Sequence, residues 1–347
     1  MLPATALNST LPLVSPRALA LELAPEKVSL DTVESASSTV KKILEGKDKR
    51  LLVVAGPCSV HDRESALEYA SKLAKLRHRY INRIYILMRV YFEKPRSTVG
   101  WKGMIYDPNM DGSCDIASGL RAARKLLMSI TKMGLPAGME ILNPLVSCYI
   151  ADLISWASVG ARTSESQIHR EMVSGLPIAA GFKNSTDGSL ESAVNSIEAA
   201  RLPHSFLNID CYGRVCITRT EGNPWGHLIL RGGKSGPNYD CKSVERACKL
   251  LSEIRMTPSL IIDCSHMNAH KKHINQAKVC REVIRMRSSG FSCIRGVMIE
   301  SNLEEGRQEI TVDKGLLKYG VSVTDECIGW DETEEPIGEI YAGSNYL

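Results

Sequence analysis

Eight residues able to do chemistry recur at the ends of apolar, strand-like runs: Cys58, Arg89, Glu140, Arg162, Lys183, Arg231, His266 and Glu300. Their separations are 31, 51, 22, 21, 48, 35 and 34 residues, each enough for a loop, a helix and a returning strand. If eight such strands run parallel around a barrel, all these side chains gather at one mouth, the face where (β/α)8 enzymes work. Part of the series is metal-like. Cys58, His266 and Glu300, joined by Asp325 from the loop TDECIGW, offer a thiolate, an imidazole and two carboxylates. That set suits one divalent ion of the Mn, Fe, Co or Zn kind. Taken singly, Cys58 reads as well as a buried thiol and His266 as a loop residue.

The cationic part comprises Arg89, Lys94, Arg96, Arg162, Lys183 and Arg231. Arg89 and Lys183 adjoin strongly apolar runs, where a lone charge needs a partner. A solvated surface accounts for Lys94 and Arg96 alone, but not for six like charges at one mouth. A ligand with several negative charges does, since guanidinium forks match phosphate and carboxylate oxygens and lysines add compact charge. Ser97 and Thr98 follow Arg96 and can add hydroxyls to a phosphate, a loop N-cap being the plainer reading. The glycines of AGPCS, GFKNSTDG and ILRGGKSG mark turns. His61 and His169 read as structural; His270 and His273, within HMNAHKKH, read as solvated groups at a helix start.

The elements that must position these residues are legible as an alternation. RLLVVAGPCS, IYILMRVY, PAGMEIL, ASVGAR, PIAAGFK, HLILRG, SLIIDCSH and IRGVMIES read as strands, separated by stretches with helical spacing such as RESALEYASKLAKLRHRY. A helix is expected from Pro144, since proline suits a first turn. SFLNID and RVCITRT, joined across CYGR, read as a hairpin inserted over about residues 204–220. Residues 1–45 lack this rhythm and form an N-terminal extension with one amphipathic helix near Val33–Leu44, read as an oligomer or regulatory arm with no evident job inside the barrel. The barrel occupies 46–347. The expected fold is α/β, a (β/α)8 TIM barrel with that extension and hairpin; a doubly wound open sheet is the rival.

Composition narrows the function. With 347 residues, 44% hydrophobic and 5% aromatic, the chain has an aliphatic core of one-barrel size. The net charge of +4 and the lack of long like-charge runs argue against nucleic acid as a partner. Eleven scattered cysteines, several inside apolar runs (Cys216, Cys264, Cys293) and therefore expected to be buried, suit a reducing cytoplasm. No stretch is long and apolar enough to cross a membrane. The segment LPLVSPRALALEL, interrupted by prolines, reads as an arm and not a signal peptide.

The blocks AGPCSVHD, MRVYFEKPRSTVGWKG, GARTSESQIHR, GFKNSTDG, ILRGGK, DCSH, GVMIES and TDECIGWD resemble those of the type I 3-deoxy-D-arabino-heptulosonate 7-phosphate (DAHP) synthases, the phospho-2-dehydro-3-deoxyheptonate aldolase family. The likeness spans roughly residues 30–330. It implies condensation of phosphoenolpyruvate with D-erythrose 4-phosphate and water, releasing phosphate, as the entry to the shikimate route. It also implies that Cys58, His266, Glu300 and Asp325 hold a divalent metal. Arg162, Lys183 and Arg231 would hold phosphoenolpyruvate, with Arg89 and Lys94 near its charged groups and Glu140 facing it. Arg96, Ser97 and Thr98 would take the phosphate of erythrose 4-phosphate, and Lys94 would orient or protonate the aldehyde.

The same resemblance implies feedback inhibition by an aromatic amino acid at a site formed by the arm and helices near 141–155 and 174–180. ILNPLVSCYI and SGLPIAA depart from the family there, and TEGNPWGH is short. A homodimer or homotetramer is expected. Three alternatives remain: a 3-deoxy-D-manno-octulosonate 8-phosphate synthase-like enzyme using arabinose 5-phosphate, a Schiff-base aldolase through Lys183, and a catalytically silent amino-acid-binding barrel.

Overall fold

The structure, a computed structural model, describes residues 10–96 and 98–344. The chain begins with α1 (Pro16–Glu22) and α2 (Lys27–Leu44), then β1 (Leu51–Gly56), α3 (Arg63–Tyr80), β2 (Ile84–Arg89) and α4 (Ile116–Lys132). There follow β3 (Ala137–Glu140), α5 (Pro144–Ile150), β4 (Trp156–Val159), α6 (Gln167–Ser174), β5 (Ala179–Lys183) and α7 (Glu191–Ala200). After β6 (His204–Ile209) and β7 (Val215–Thr220) come β8 (Gly226–Leu230), α8 (Cys241–Glu253), β9 (Leu260–Asp263), α9 (Gln276–Ser288), β10 (Ile294–Glu300) and α10 (Asp331–Gly343).

Eight strands close a parallel barrel in the order β1, β2, β3, β4, β5, β8, β9, β10. Closure sets Gly56 at the end of β1 opposite Glu300 at the end of β10. These strands read as continuous apolar runs because both faces are covered: every residue of β1 and β2 is buried. One face of each strand meets the outer helices; the other fills the lumen with Leu52, Val54, Tyr85, Leu87, Trp156, Ile229, Ile261 and Met298. The open sheet is thereby excluded.

The extension carries two helices, α1 and α2, where one was expected; α2 is longer than the expected Val33–Leu44, and it has a job in the barrel. Ala36, Val40, Ile43 and Leu44 of α2 pack into the lumen cluster against those strand residues. The helix thus plugs the end of the barrel away from the strand C-termini. Its last turn carries Lys41, whose ammonium lies 3.7 Å from the Trp225 ring centre and donates to Pro177 O at 2.7 Å.

The hairpin is present: β6 and β7 pair antiparallel from His204 opposite Thr220 to Ile209 opposite Val215. It leans on α5 and α6, and Arg17 N of α1 donates to Cys211 O in its turn at 2.8 Å. Its outward residues Leu207, Val215 and Ile217 are exposed. Strand alternation there leaves Cys216 only half-buried, and Cys293, just before β10, is likewise half-buried; of the three cysteines expected inside, Cys264 alone is fully covered. Among the described residues, no helix is long and apolar enough to cross a membrane.

Candidate active site

The strand C-termini open into a cavity of about 590 Å³. Arg89, Lys94, Arg96, Thr98, Glu140, Arg162, Lys183, Arg231, His266, Glu300 and Asp325 all line it. Cys58 lies directly beneath, fully buried, with its sulfur 2.6 Å from the Lys94 ammonium. Ser97 lies outside the described residues. Among the described residues, nine Lys and Arg side chains face four carboxylates around the cavity wall.

Three of the four metal-type groups converge, and His266 stands beside them outside that cluster. One ligand atom each from Cys58, Glu300 and Asp325 lies within 4.8 Å of the others. His266 adjoins them, its Nε2 3.9 Å from Glu300 Oε1. His266 holds a positive φ of 54°, rare for a residue with a side chain and a recurring mark of functional loops. A sulfur and two carboxylates at this spacing, with an imidazole beside one of them, fit a borderline divalent ion.

Burial and the nearby Glu300 carboxylate push the Cys58 thiol up to about 12. Its S–H donates to Asp325 Oδ2 at 3.3 Å. Lys94 bridges the same pair, 2.6 Å from the sulfur and 2.9 Å from Asp325 Oδ2. Burial opposes its charge, but Cys58, Asp325 and Glu300 together hold the ammonium above its ordinary range. A merely solvated Lys94 is therefore excluded: the residue is 8% exposed.

Arg89, at the end of β2, is buried and held on three sides. Its Nε donates to Pro57 O at 3.0 Å, its Nη2 to Glu300 Oε1 at 2.8 Å, and its guanidinium carbon lies 3.5 Å from the Tyr91 ring centre. Nη1 is buried without a partner among the described residues. An unpartnered buried donor is costly, so this nitrogen is suited to an incoming anionic oxygen. Lys183, at the end of β5, sits 3.5 Å from Glu140 Oε2 and 3.3 Å from Asp263 Oδ2. Burial opposes its charge too, yet Asp263, Tyr91 and Glu140 hold the ammonium above its ordinary range.

Glu140 reaches this place because residue 160 is glycine: a Cβ there would stand 2.6 Å from Glu140 Oε1. Burial works against the Glu140 charge, but Lys183 and Arg89 outweigh it and keep the carboxyl below its usual range. Arg231 is 9% exposed, its backbone N anchored on Asn184 Oδ1 at 2.8 Å. Burial and the neighbouring Arg162 lower its pKa, although Asp263 partly compensates. Arg96, Thr98 and Arg162 are exposed at the outer rim of the same cavity.

Sequence reasoning missed several groups. Asp263 ends β9 fully buried between Lys183 and His266; its signal was the acid three places before His266 in DCSH. Tyr91 supplies the ring beneath Arg89 and donates or accepts at 2.8 Å with Ser158 Oγ. His273 is not simply solvated: its Nδ1 lies 2.9 Å from Glu326 and its Nε2 3.4 Å from Glu305, tying the loop after β9 to the loop after β10. Lys271, Lys272 and Arg307 add charge at the rim. His61 and His169 are buried, and His169 Nε2 lies 2.7 Å from Leu142 O.

The profile of the DAHP synthetase I family matches residues 27–336, which takes in every cavity residue named above. The chain belongs to that family. Among DAHP synthetase I relatives, it is 49% identical over 313 residues to the Escherichia coli K12 Tyr-sensitive phospho-2-dehydro-3-deoxyheptonate aldolase, covering 90% of this chain and 88% of that one. It is 50% identical over 323 residues to the Trp-sensitive enzyme of Enterobacter agglomerans, covering 93% and 92%. The solved phospho-2-dehydro-3-deoxyheptonate aldolase of Francisella tularensis SCHU S4 superposes with a TM-score of 0.95 at 41% identity, over 98% of this chain and 99% of that one.

Proposed function

We propose that the chain condenses phosphoenolpyruvate with D-erythrose 4-phosphate and water to give DAHP and phosphate, opening the shikimate pathway. The observation that carries this reading is a cationic cavity with a sulfur, nitrogen and carboxylate cluster at its floor. Two phosphorylated substrates repel each other in water, and the excess of Lys and Arg over acids offsets that repulsion.

The residues divide the work by depth. Arg162, Lys183 and Arg231 clamp the phosphoenolpyruvate anion, and Arg89 Nη1 takes one further oxygen. Arg96 and Thr98 at the rim, with Ser97 between them in the sequence, take the distal phosphate of the aldehyde. The enol carbon C3 bonds to the aldehyde carbon, water adds at C2, and phosphate leaves from the resulting hemiketal. Cys58, His266, Glu300 and Asp325 would hold one divalent ion of the Mn, Fe, Co or Zn class. Such an ion would supply Lewis-acid polarisation of the aldehyde oxygen there. Lys94 orients the aldehyde and supplies the proton its oxygen gains, being the ammonium closest to the donor cluster. Glu140 keeps the Lys183 charge in place on the phosphoenolpyruvate side.

Feedback inhibition by an aromatic amino acid belongs to the same reading, supported by the Tyr- and Trp-sensitive relatives. So does a homodimer or homotetramer, supported by the exposed apolar residues Leu207, Val215 and Ile217 on the hairpin. A cytoplasmic setting suits eleven free thiols. Phosphate release is assayed with erythrose 4-phosphate against arabinose 5-phosphate, then with each aromatic amino acid in turn. Preference for erythrose 4-phosphate is expected. Equal or better use of arabinose 5-phosphate, or no turnover with either aldehyde, overturns the proposal.

A further inference from the structure

We infer that Asp263 is the positioning residue of the metal centre, acting with Ser265 to hold His266 in the tautomer that turns an unprotonated Nε2 toward the donor cluster. This rests on the metal reading above and goes beyond the ligands themselves.

The carboxylate is fully buried at the end of β9. Its Oδ1 accepts from the Ser265 backbone N–H at 3.0 Å and the Ser265 hydroxyl at 2.6 Å. Its Oδ2 lies 3.0 Å from His266 Nδ1 and 3.3 Å from the Lys183 ammonium, without a well-aligned hydrogen bond to either. Asn268 fixes the backbone by donating to Asp263 O at 2.9 Å. The opposite ring nitrogen, His266 Nε2, faces Glu300.

The proton count selects the tautomer. Ser265 Oγ is also 2.7 Å from His266 Nδ1, and a hydroxyl has one proton to give. If Nδ1 is protonated, it donates to Ser265 Oγ, which then donates to Asp263 Oδ1, and the chain from ring to carboxylate is satisfied, with Oδ2 facing the N–H and the Lys183 ammonium electrostatically. If Nδ1 is bare, Ser265 must donate to it and abandon Asp263, and the imidazole lone pair faces a buried anion at 3.0 Å. The first arrangement leaves the Nε2 lone pair for a metal, the pattern by which a carboxylate fixes a histidine ligand from behind. Lys183 supplies the counter-charge that a buried carboxylate needs, so one acid joins the phosphate clamp to the metal ligand.

The test has three arms. Long-range ¹⁵N spectra of chelator-treated wild-type protein, with His266 assigned by comparison with H266Q, are expected to show Nδ1–H; an Nε2–H tautomer overturns the inference without any Asp263 variant. Co²⁺ is then titrated by absorbance into wild type, D263N and S265A, each checked for an intact thermal transition. D263N is expected to bind about 10–100-fold more weakly and S265A about 3–10-fold more weakly. Unchanged affinity in D263N overturns the inference. So does a silent S265A beside a weakened D263N, since charge alone then explains the loss. Wild type that binds no Co²⁺ instead sinks the metal reading, while the tautomer result stands apart from it.

Discussion

The Lys94 ammonium lies 2.6 Å from the Cys58 sulfur and 2.9 Å from Asp325 Oδ2, so a protein cation stands among the groups that converge as metal donors. A lysine there competes electrostatically with a metal while serving the aldehyde. Lys94→Met should therefore leave Co²⁺ affinity equal or tighter by titration, while kcat falls roughly 10²–10⁴-fold, the range of a lost general acid. Loss of metal binding together with activity would show Lys94 to be structural.

Arg89 offers a buried Nη1 with no partner among the described residues, while its other nitrogens are engaged. Arg89→Lys keeps a charge but cannot make all these contacts. The kcat/KM for phosphoenolpyruvate should drop about 10–100-fold, the worth of a charge-assisted hydrogen bond. A drop confined to the aldehyde's kcat/KM would contradict the assignment.

His227, on β8, is buried with Trp156 Nε1 donating to its Nε2 at 3.1 Å. Burial lowers its pKa to about 4. The unfolded histidine takes a proton near pH 6.5, so between there and about 4 the unfolded state binds more protons. The neutral histidine thus contributes stability above pH 6.5 that is lost as pH falls toward 4, on the order of 3 kcal/mol. Denaturation midpoints of His227→Gln should fall less steeply than wild type across that window; parallel curves would refute the linkage.

Ile43 of α2 is fully buried in the lumen cluster. Ile43→Ala should cost about 2–5 kcal/mol of unfolding free energy in urea melts. A cost below about 1 kcal/mol would mean that the plug adds little to the barrel.

Strand ends were legible because both-face burial writes each strand as an apolar run, and the charged residue that stops the run is the one that meets the cavity: Arg89 after IYILM and Lys183 after AAGF show this. The role of α2 was not legible, since an amphipathic stripe announces a buried face without saying which surface covers it. Asp263 escaped notice because it closes the run LIID and its partners, Lys183 and His266, come from a neighbouring part of the barrel and from the next loop. His273 was misread because its carboxylate partners, Glu305 and Glu326, lie more than thirty residues away. Cys216 follows a hairpin alternation that leaves one face to solvent, so an apolar run there did not mean burial.

The most direct measurement is phosphate release from phosphoenolpyruvate and erythrose 4-phosphate by chelator-stripped protein, before and after adding back Mn²⁺, Fe²⁺, Co²⁺ or Zn²⁺ singly, with Cys58→Ala alongside. A metal-dependent synthase loses turnover on stripping, regains it with at least one ion, and stays inactive as Cys58→Ala with all of them. Turnover that survives chelation unchanged, or full activity in Cys58→Ala, would contradict it.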